Sequence, residues 1–210
     1  MAMKRALLAA LVVAGLLAGV AAGFYFTRVR GAPPVLERAT LFEAPRPLPE
    51  FALMDQAGRI FDRKRLRGHW TFLFFGFVNC SDVCPTTLAT LAEARRIVAD
   101  LPMGEQPAVV LVSVDPARDT PEVLGHYVAH FDPSFTGVTG EADAIAALTR
   151  HLGVAVVIGT PAADGSYAVD HTAAIFLIDP SASQAALFGS PHDAVVIARD
   201  FRRIVAARPQ

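Results

Sequence analysis

Between Phe51 and Ala207 the chain alternates short apolar runs with longer stretches of helical periodicity. "WTFLFFGF" (Trp70–Phe77) and "AVVLVSVD" (Ala108–Asp115) are nearly unbroken apolar runs of eight residues. They suit strands buried on both faces. After the first, Pro85 at a first helical position opens "PTTLATLAEARRIVAD". Leu88, Leu91, Ala92, Val98 and Ala99 share one face of that helix, and Arg95 interrupts it. Thr120 caps and Pro121 opens a second helix, running through Phe131. "GEADAIAALTRHLG" is a third, closed by Gly153. "FALMDQAGRIFD" reads as a hairpin turning at Asp55–Gly58, and "VAVVIG", "AADG" and "YAVDH" as another. "AAIFLID" (Ala173–Asp179) and "AALFG" flank a turn at Pro180 and should pair antiparallel. A helix from His192 to Ala207 completes the pattern. Strand–helix–strand–helix followed by adjoining strands and a helix predicts an α/β sandwich around a mixed sheet.

The N-terminal pattern is different. Residues 6–26 carry no charge, and as a helix they would span about 31 Å, the thickness of a hydrocarbon core. Residues 1–5, with Lys4 and Arg5, form a short basic start that a secretory signal shares. A signal's apolar region is shorter than this stretch, so the length favours a transmembrane anchor or uncleaved signal. Pro-rich residues 27–50 read as a tether, and the folded domain spans 51–207. The resulting expectation is a single-pass protein of the bacterial inner (plasma) membrane. Its N-terminal segment is cytoplasmic and its domain faces the periplasm or cell exterior.

Composition narrows the function. The chain has 210 residues, is 53% hydrophobic and 19% charged, and so has ample material for a core. A formal net charge of −1 and the absence of a basic block argue against nucleic acid as a partner. Met1, Met3, Met54 and Met103 form no cluster.

The only two cysteines are Cys80 and Cys84, in "FGFVNCSDVCPTTL". Cys80 falls in the loop at the carboxyl end of a predicted central strand, where open α/β sheets place their ligands. Cys84 stands immediately before the predicted helix, whose free amides and dipole would lower its thiol pKa. Two thiols this close make a disulfide, a metal site or a site that does both. The spacing is one residue wider than the C-x-x-C of thioredoxins. Two thiolates suit Cu(I), and one imidazole added to them makes the site acceptable to Cu(II). A closed zinc site would want a fourth ligand, and no third Cys is present.

Six histidines could supply an imidazole. His126 and His130, four apart on one helix, read as a solvated face. His151 lies at a helix C-terminus, and His69 and His192 sit beside turns. His171 enters a buried strand directly from a hairpin and can be held rigidly at a sheet end. Asp119 reads as turn and cap chemistry, Asp82 as a solvated loop acid, and Asp115 is left open.

"FGFVNCSDVCPTTL", "SVDPARDTPEVL" and "VDHTAAIFLIDP" together resemble the three signature segments of the Sco/SenC proteins. The resemblance extends over roughly Phe51 to Ala206. It implies a thioredoxin-like fold with an inserted β-hairpin, preceded by one N-terminal transmembrane helix. It also implies a copper metallochaperone acting on the binuclear copper site of cytochrome c oxidase during assembly. Subunit II of the oxidase would be the acceptor, with an upstream copper donor and a thiol reductant as further partners. By this resemblance Cys80, Cys84 and His171 bind copper, as Cu(I), Cu(II) or both, and the two cysteines form a reversible disulfide. Asn79 stands where the family commonly has His, and Ser81 where it commonly has Pro. Asn79 and Asp115 are candidates to support the ligands from behind. The alternative is a thiol–disulfide reductase that keeps the acceptor's cysteines reduced, with Cys80 attacking and Cys84 resolving. That chemistry does not need His171, whereas metal binding does.

Overall fold

The structure, a computed structural model, describes residue 5, residues 11–20, residue 23 and residues 34–208. The chain divides into two units, Met1–Val35 and Leu36–Gln210. In the first, residues 11–20 are helical. The anchor expected over 6–26 and the opening of the tether lie largely outside the described residues. Among the described residues, no helix is long and apolar enough to cross a membrane.

The described residues of the second unit hold ten strands: β1 (Ala39–Pro47), β2 (Ala52–Asp55), β3 (Ile60–Asp62), β4 (Thr71–Gly76), β5 (Ala108–Ser113), β6 (Thr136–Thr139), β7 (Val156–Ile158), β8 (Val169–His171), β9 (Ile175–Ile178) and β10 (Ser183–Phe188). Its α-helices are α1 (Val83–Ile97), α2 (Pro121–Ala129), α3 (Ala142–Leu152) and α4 (Ala194–Ala207). Eight strands make one mixed sheet in the order β1–β10–β9–β4–β5–β6–β2–β3, and β7 and β8 pair as a separate hairpin. β4 runs parallel to β5 and antiparallel to β9. All six of its residues are buried, as its unbroken apolar run requires. Phe72 packs at 5.2 Å from Phe201 of α4, and Trp70 meets the same ring edge-on at 6.0 Å.

Local chemistry sets the ends of these elements. Thr120 Oγ1 accepts the Val123 amide at the start of α2, and Gly153 closes α3 at φ 74°. Gly58, at φ 72°, makes the turn between β2 and β3, which Asp55 ties by accepting the Ala57 and Arg59 amides. The alternation of elements, both hairpins and the pairing of β9 with β10 agree with the sequence pattern.

Three features differ from it. The supposed tether enters the sheet: residues 39–47 form β1, which pairs antiparallel with β10. Pro45 and Pro47 hide this strand from a propensity reading, but an edge strand tolerates proline because one row of its amides faces no partner. β6 was also illegible, being four residues long with a central glycine. A Cβ at Gly137 would lie 2.9 Å from that of Leu124, so glycine there lets α2 approach the sheet. Finally, α1 begins at Val83 rather than Pro85, with the Thr86 amide donating to the Asp82 carbonyl. Pro85 fits inside the first turn because an amide there has no intrahelical partner. Ala94, not Ala92 or Ala99, completes the buried face. Arg95 does not disturb that face but leaves it to bond Asp132 at 2.9 Å.

Candidate metal centre

β4 ends at Gly76, and the loop that follows lies at the carboxyl edge of the sheet beside the loop that follows β5. Cys80 is half-buried in this loop. Cys84 occupies the second residue of α1 and is wholly buried. Its amide donates to Cys80 Sγ at 3.3 Å, so the first turn of the helix holds the other sulfur. Behind Cys84 the backbone is close. A Cβ at Gly76 would stand 3.0 Å from Cys84 Sγ, and only glycine leaves the sulfur its place.

His171 arrives from the other side, at the end of β8, where the inserted hairpin returns to the sheet. Its Nε2 lies 3.4 Å from Cys84 Sγ. Its Nδ1 lies 3.2 Å from the Thr172 carbonyl. A carbonyl only accepts, so Nδ1 carries the proton and the Nε2 lone pair faces the sulfurs. Phe74 and Phe77 stand edge-on to the imidazole at 5.8 and 5.9 Å and confine its plane. Burial lowers the His171 pKa, favouring the neutral, ligating form.

The three ligand atoms, the two Sγ and one imidazole nitrogen, all lie within 4.8 Å of one another. Two soft sulfurs and one imidazole at that spacing are a donor set for copper. A cavity of about 340 Å³ opens on this triad, lined by Asn79, Cys80, Asp82, Tyr167 and His171 among others. Cys84 is not among its lining residues, so one sulfur faces the opening and the other the core.

The structure revises one electrostatic expectation. The dipole at the start of α1 alone predicts a lowered Cys84 pKa. Burial instead pushes the thiol up, and the neighbouring Cys80 sulfur adds to the shift. A partial dipole charge does not offset the loss of water around a sulfur inside the core. Without a cation, Cys84 therefore stays a thiol.

Asn79 is exposed in the cavity wall. Asp115 is buried. It binds Arg118 and accepts the Tyr167 hydroxyl at 2.5 Å. Asp119 closes the turn after β5, its amide donating to the Asp115 carbonyl at 3.0 Å. Its side chain is also buried, and Oδ2 accepts the Ser113 hydroxyl at 2.7 Å and the Val78 amide at 3.1 Å, joining the end of β5 to the cysteine loop. Burial raises its pKa. Asp82 is exposed as expected, and so are His126 and His130. Gly76 and Arg118 lie inside the signature segments "FGFVNCSDVCPTTL" and "SVDPARDTPEVL", but their roles, like that of Tyr167, depend on contacts that the segments do not spell out.

The sequence matches the SCO1/SenC family over residues 42–206. It is 32% identical over 182 residues to a SCO2-like protein of Rickettsia felis, covering 85% of this chain and 88% of that one. It is 34% identical over 158 residues to the mitochondrial SCO2 homolog of Bos taurus, covering 75% of this chain and 59% of the relative. Among solved structures it resembles Arabidopsis thaliana ScoI with copper bound, at 32% identity and a TM-score of 0.69, covering 75% of this chain and 98% of that one. Yeast Sco1 with copper bound is also similar, at 29% identity and a TM-score of 0.71, covering 79% of this chain and 91% of that one. With a thioredoxin-like mixed sheet, an inserted hairpin and the Cys–Cys–His triad at the sheet's carboxyl edge, this chain belongs to the SCO1/SenC family.

Proposed function

We propose that this protein is a membrane-anchored copper chaperone that delivers copper to the binuclear copper site of cytochrome c oxidase. Copper is its cargo, and Cys80, Cys84 and His171 are its ligands. The convergence of these three ligand atoms within 4.8 Å carries the reading. The apolar residues 6–26 would anchor the chain, with the copper domain on the periplasmic or outer side.

The chemistry follows from the donor set. Both cysteines are free thiols in this structure, the form that a metal requires. Copper entering the site displaces the thiol protons, which overcomes the raised pKa of Cys84. Three ligands leave a coordination position open toward the cavity. A thiolate or imidazole of the acceptor can enter there, and the protein's own ligands then depart one at a time. Cys80 and His171 face that opening, so exchange begins with them. Cys84, sealed in the core, releases last.

A second reading has its own support. A half-exposed Cys80 in front of a buried Cys84 is the arrangement of an attacking and a resolving thiol, as a disulfide reductase of the acceptor's cysteines needs.

Copper titration of the full-length protein in detergent, reduced and anaerobic, separates the two. The chaperone reading expects one copper per chain and a thiolate-to-Cu(II) absorption band that His171→Ala abolishes or strongly shifts. Should copper bind no better than to a Cys80→Ser/Cys84→Ser control while disulfide exchange stays fast, the reductase reading takes its place.

A further inference from the structure

The ligand that comes from furthest away is also the least anchored. Cys80 and Cys84 are fixed by the end of β4 and the first turn of α1. His171 is carried by β7 and β8, which pair only with each other among the described residues and take no part in the main sheet. At the root of this hairpin the Thr172 amide donates to the Ala155 carbonyl at 3.0 Å, and the Ala155 amide donates to Thr172 Oγ1 at 2.9 Å. Two of its residues, Val157 and Ile158, are 62% and 57% exposed, so packing holds this strand weakly.

A second attachment lies four residues before His171. The Tyr167 hydroxyl donates to Asp115 Oδ1 at 2.5 Å. The Arg118 guanidinium bonds the other carboxylate oxygen of Asp115 and lies 3.7 Å over the Tyr167 ring. Arg118 Nη1 also donates to the Tyr167 carbonyl at 3.4 Å. The buried Asp115 is thus saturated by one cation and one hydroxyl, and that cation also stacks on the ring bearing the hydroxyl. Tyr167 lines the cavity at the triad, and it also lines a second, more apolar cleft of about 390 Å³ bounded by α3 and the loop after β5. It forms a wall between the two. With Tyr167 drawn out, the hairpin would retain its root, the buried Val169 and the edge-on contacts of Phe74 and Phe77 with the imidazole, and His171 could leave the sulfurs more readily.

We infer that Asp115, Arg118 and Tyr167 form a clasp that positions His171 and sets how long it remains on copper. These are positioning residues: none is a ligand, and they act through the hairpin. The inference rests on the chaperone reading for its copper part alone. An acceptor that disturbs the clasp would release the imidazole first and leave both thiolates in place.

The test uses full-length protein in detergent with Tyr167→Phe, which removes only the hydroxyl, and Asp115→Asn, which keeps the shape but weakens both bonds. Thr160→Ala, at an exposed position of the same segment and outside the clasp, is the control. In metal-free reduced protein, amide hydrogen exchange over residues 155–172 should quicken about tenfold in both clasp variants, as expected for losing one hydrogen bond to a buried carboxylate. It should not change in Thr160→Ala. Loaded with Cu(II), the clasp variants should lose copper to EDTA about tenfold faster while keeping the wild-type absorption band at saturation, because the ligands are unchanged. Hairpin exchange within about twofold of wild type overturns the clasp. Faster exchange with unchanged copper release overturns its effect on His171. If wild-type protein binds no copper, the chaperone reading fails by itself, and the exchange measurement still decides whether the clasp holds the hairpin.

Discussion

At the scale of single residues, the two cysteines differ because of where β4 and α1 leave them. Cys80 is half-exposed at the cavity, whereas Cys84 is buried with its pKa raised by that burial. The thiolate is the reactive form, so burial and a raised pKa both hold Cys84 back. Iodoacetamide added to the reduced, metal-free protein should therefore modify Cys80 first, at least about tenfold faster than Cys84. Peptide mass spectrometry over a time course checks this, and equal rates would mean that Cys84 is not sealed behind its neighbour. The C-x-x-x-C spacing marked both positions as chemistry-bearing, but it did not distinguish them. The dipole of α1 is a local field, and the water that the core excludes from Cys84 outweighs it.

At the scale of elements, β1 was the principal surprise. Asp200, wholly buried on α4, accepts the amides of Glu37, Arg38 and Ala39 at 2.9–3.0 Å. One carboxylate thus docks the entry to β1, and the strand then covers the edge of β10. Asp200→Ala would strand three amides and should lower stability by about 2–4 kcal/mol, given that hydrogen bonds to charged groups are the stronger kind. The midpoint of urea unfolding reads the change. A loss below about 0.5 kcal/mol would show that β1 is dispensable to the domain. This strand was hard to read in "ATLFEAPRP" because its pairing partner lies about 140 residues away and its own alternation is broken by prolines and a register shift. By contrast β4, β5, α2 and α3 declare themselves locally, through unbroken apolar runs or a cap at one end.

For the whole molecule, stability should depend on pH through a buried histidine that is not among the copper ligands. His192 precedes α4, and its Nδ1 lies 3.1 Å from Thr87 Oγ1 of α1, two helices that pack together. Burial lowers its pKa below the ordinary 6.5. The unfolded chain therefore takes up a proton below 6.5 that the folded chain refuses, and stability falls as pH drops through that value toward the folded pKa. Urea midpoints at pH 7.5 and 5.5 should show the loss, and His192→Asn should lessen it. A pH response identical in the variant would assign the effect to other groups.

Sequence by itself determined the element alternation, the thioredoxin-like class, the cysteine pair and, through resemblance, the histidine that completes it. These are properties of local pattern: burial on two faces writes an apolar run, and a turn or cap writes a fixed residue. Tertiary structure alone decided which sulfur faces outward, which carboxylates are structural and how His171 is held. Asp115 and Tyr167 are 52 residues apart, and their bond exists only because the hairpin folds back over the loop after β5. Desolvation and long-range hydrogen bonding depend on what the rest of the chain places around a group, and no window of sequence contains that information.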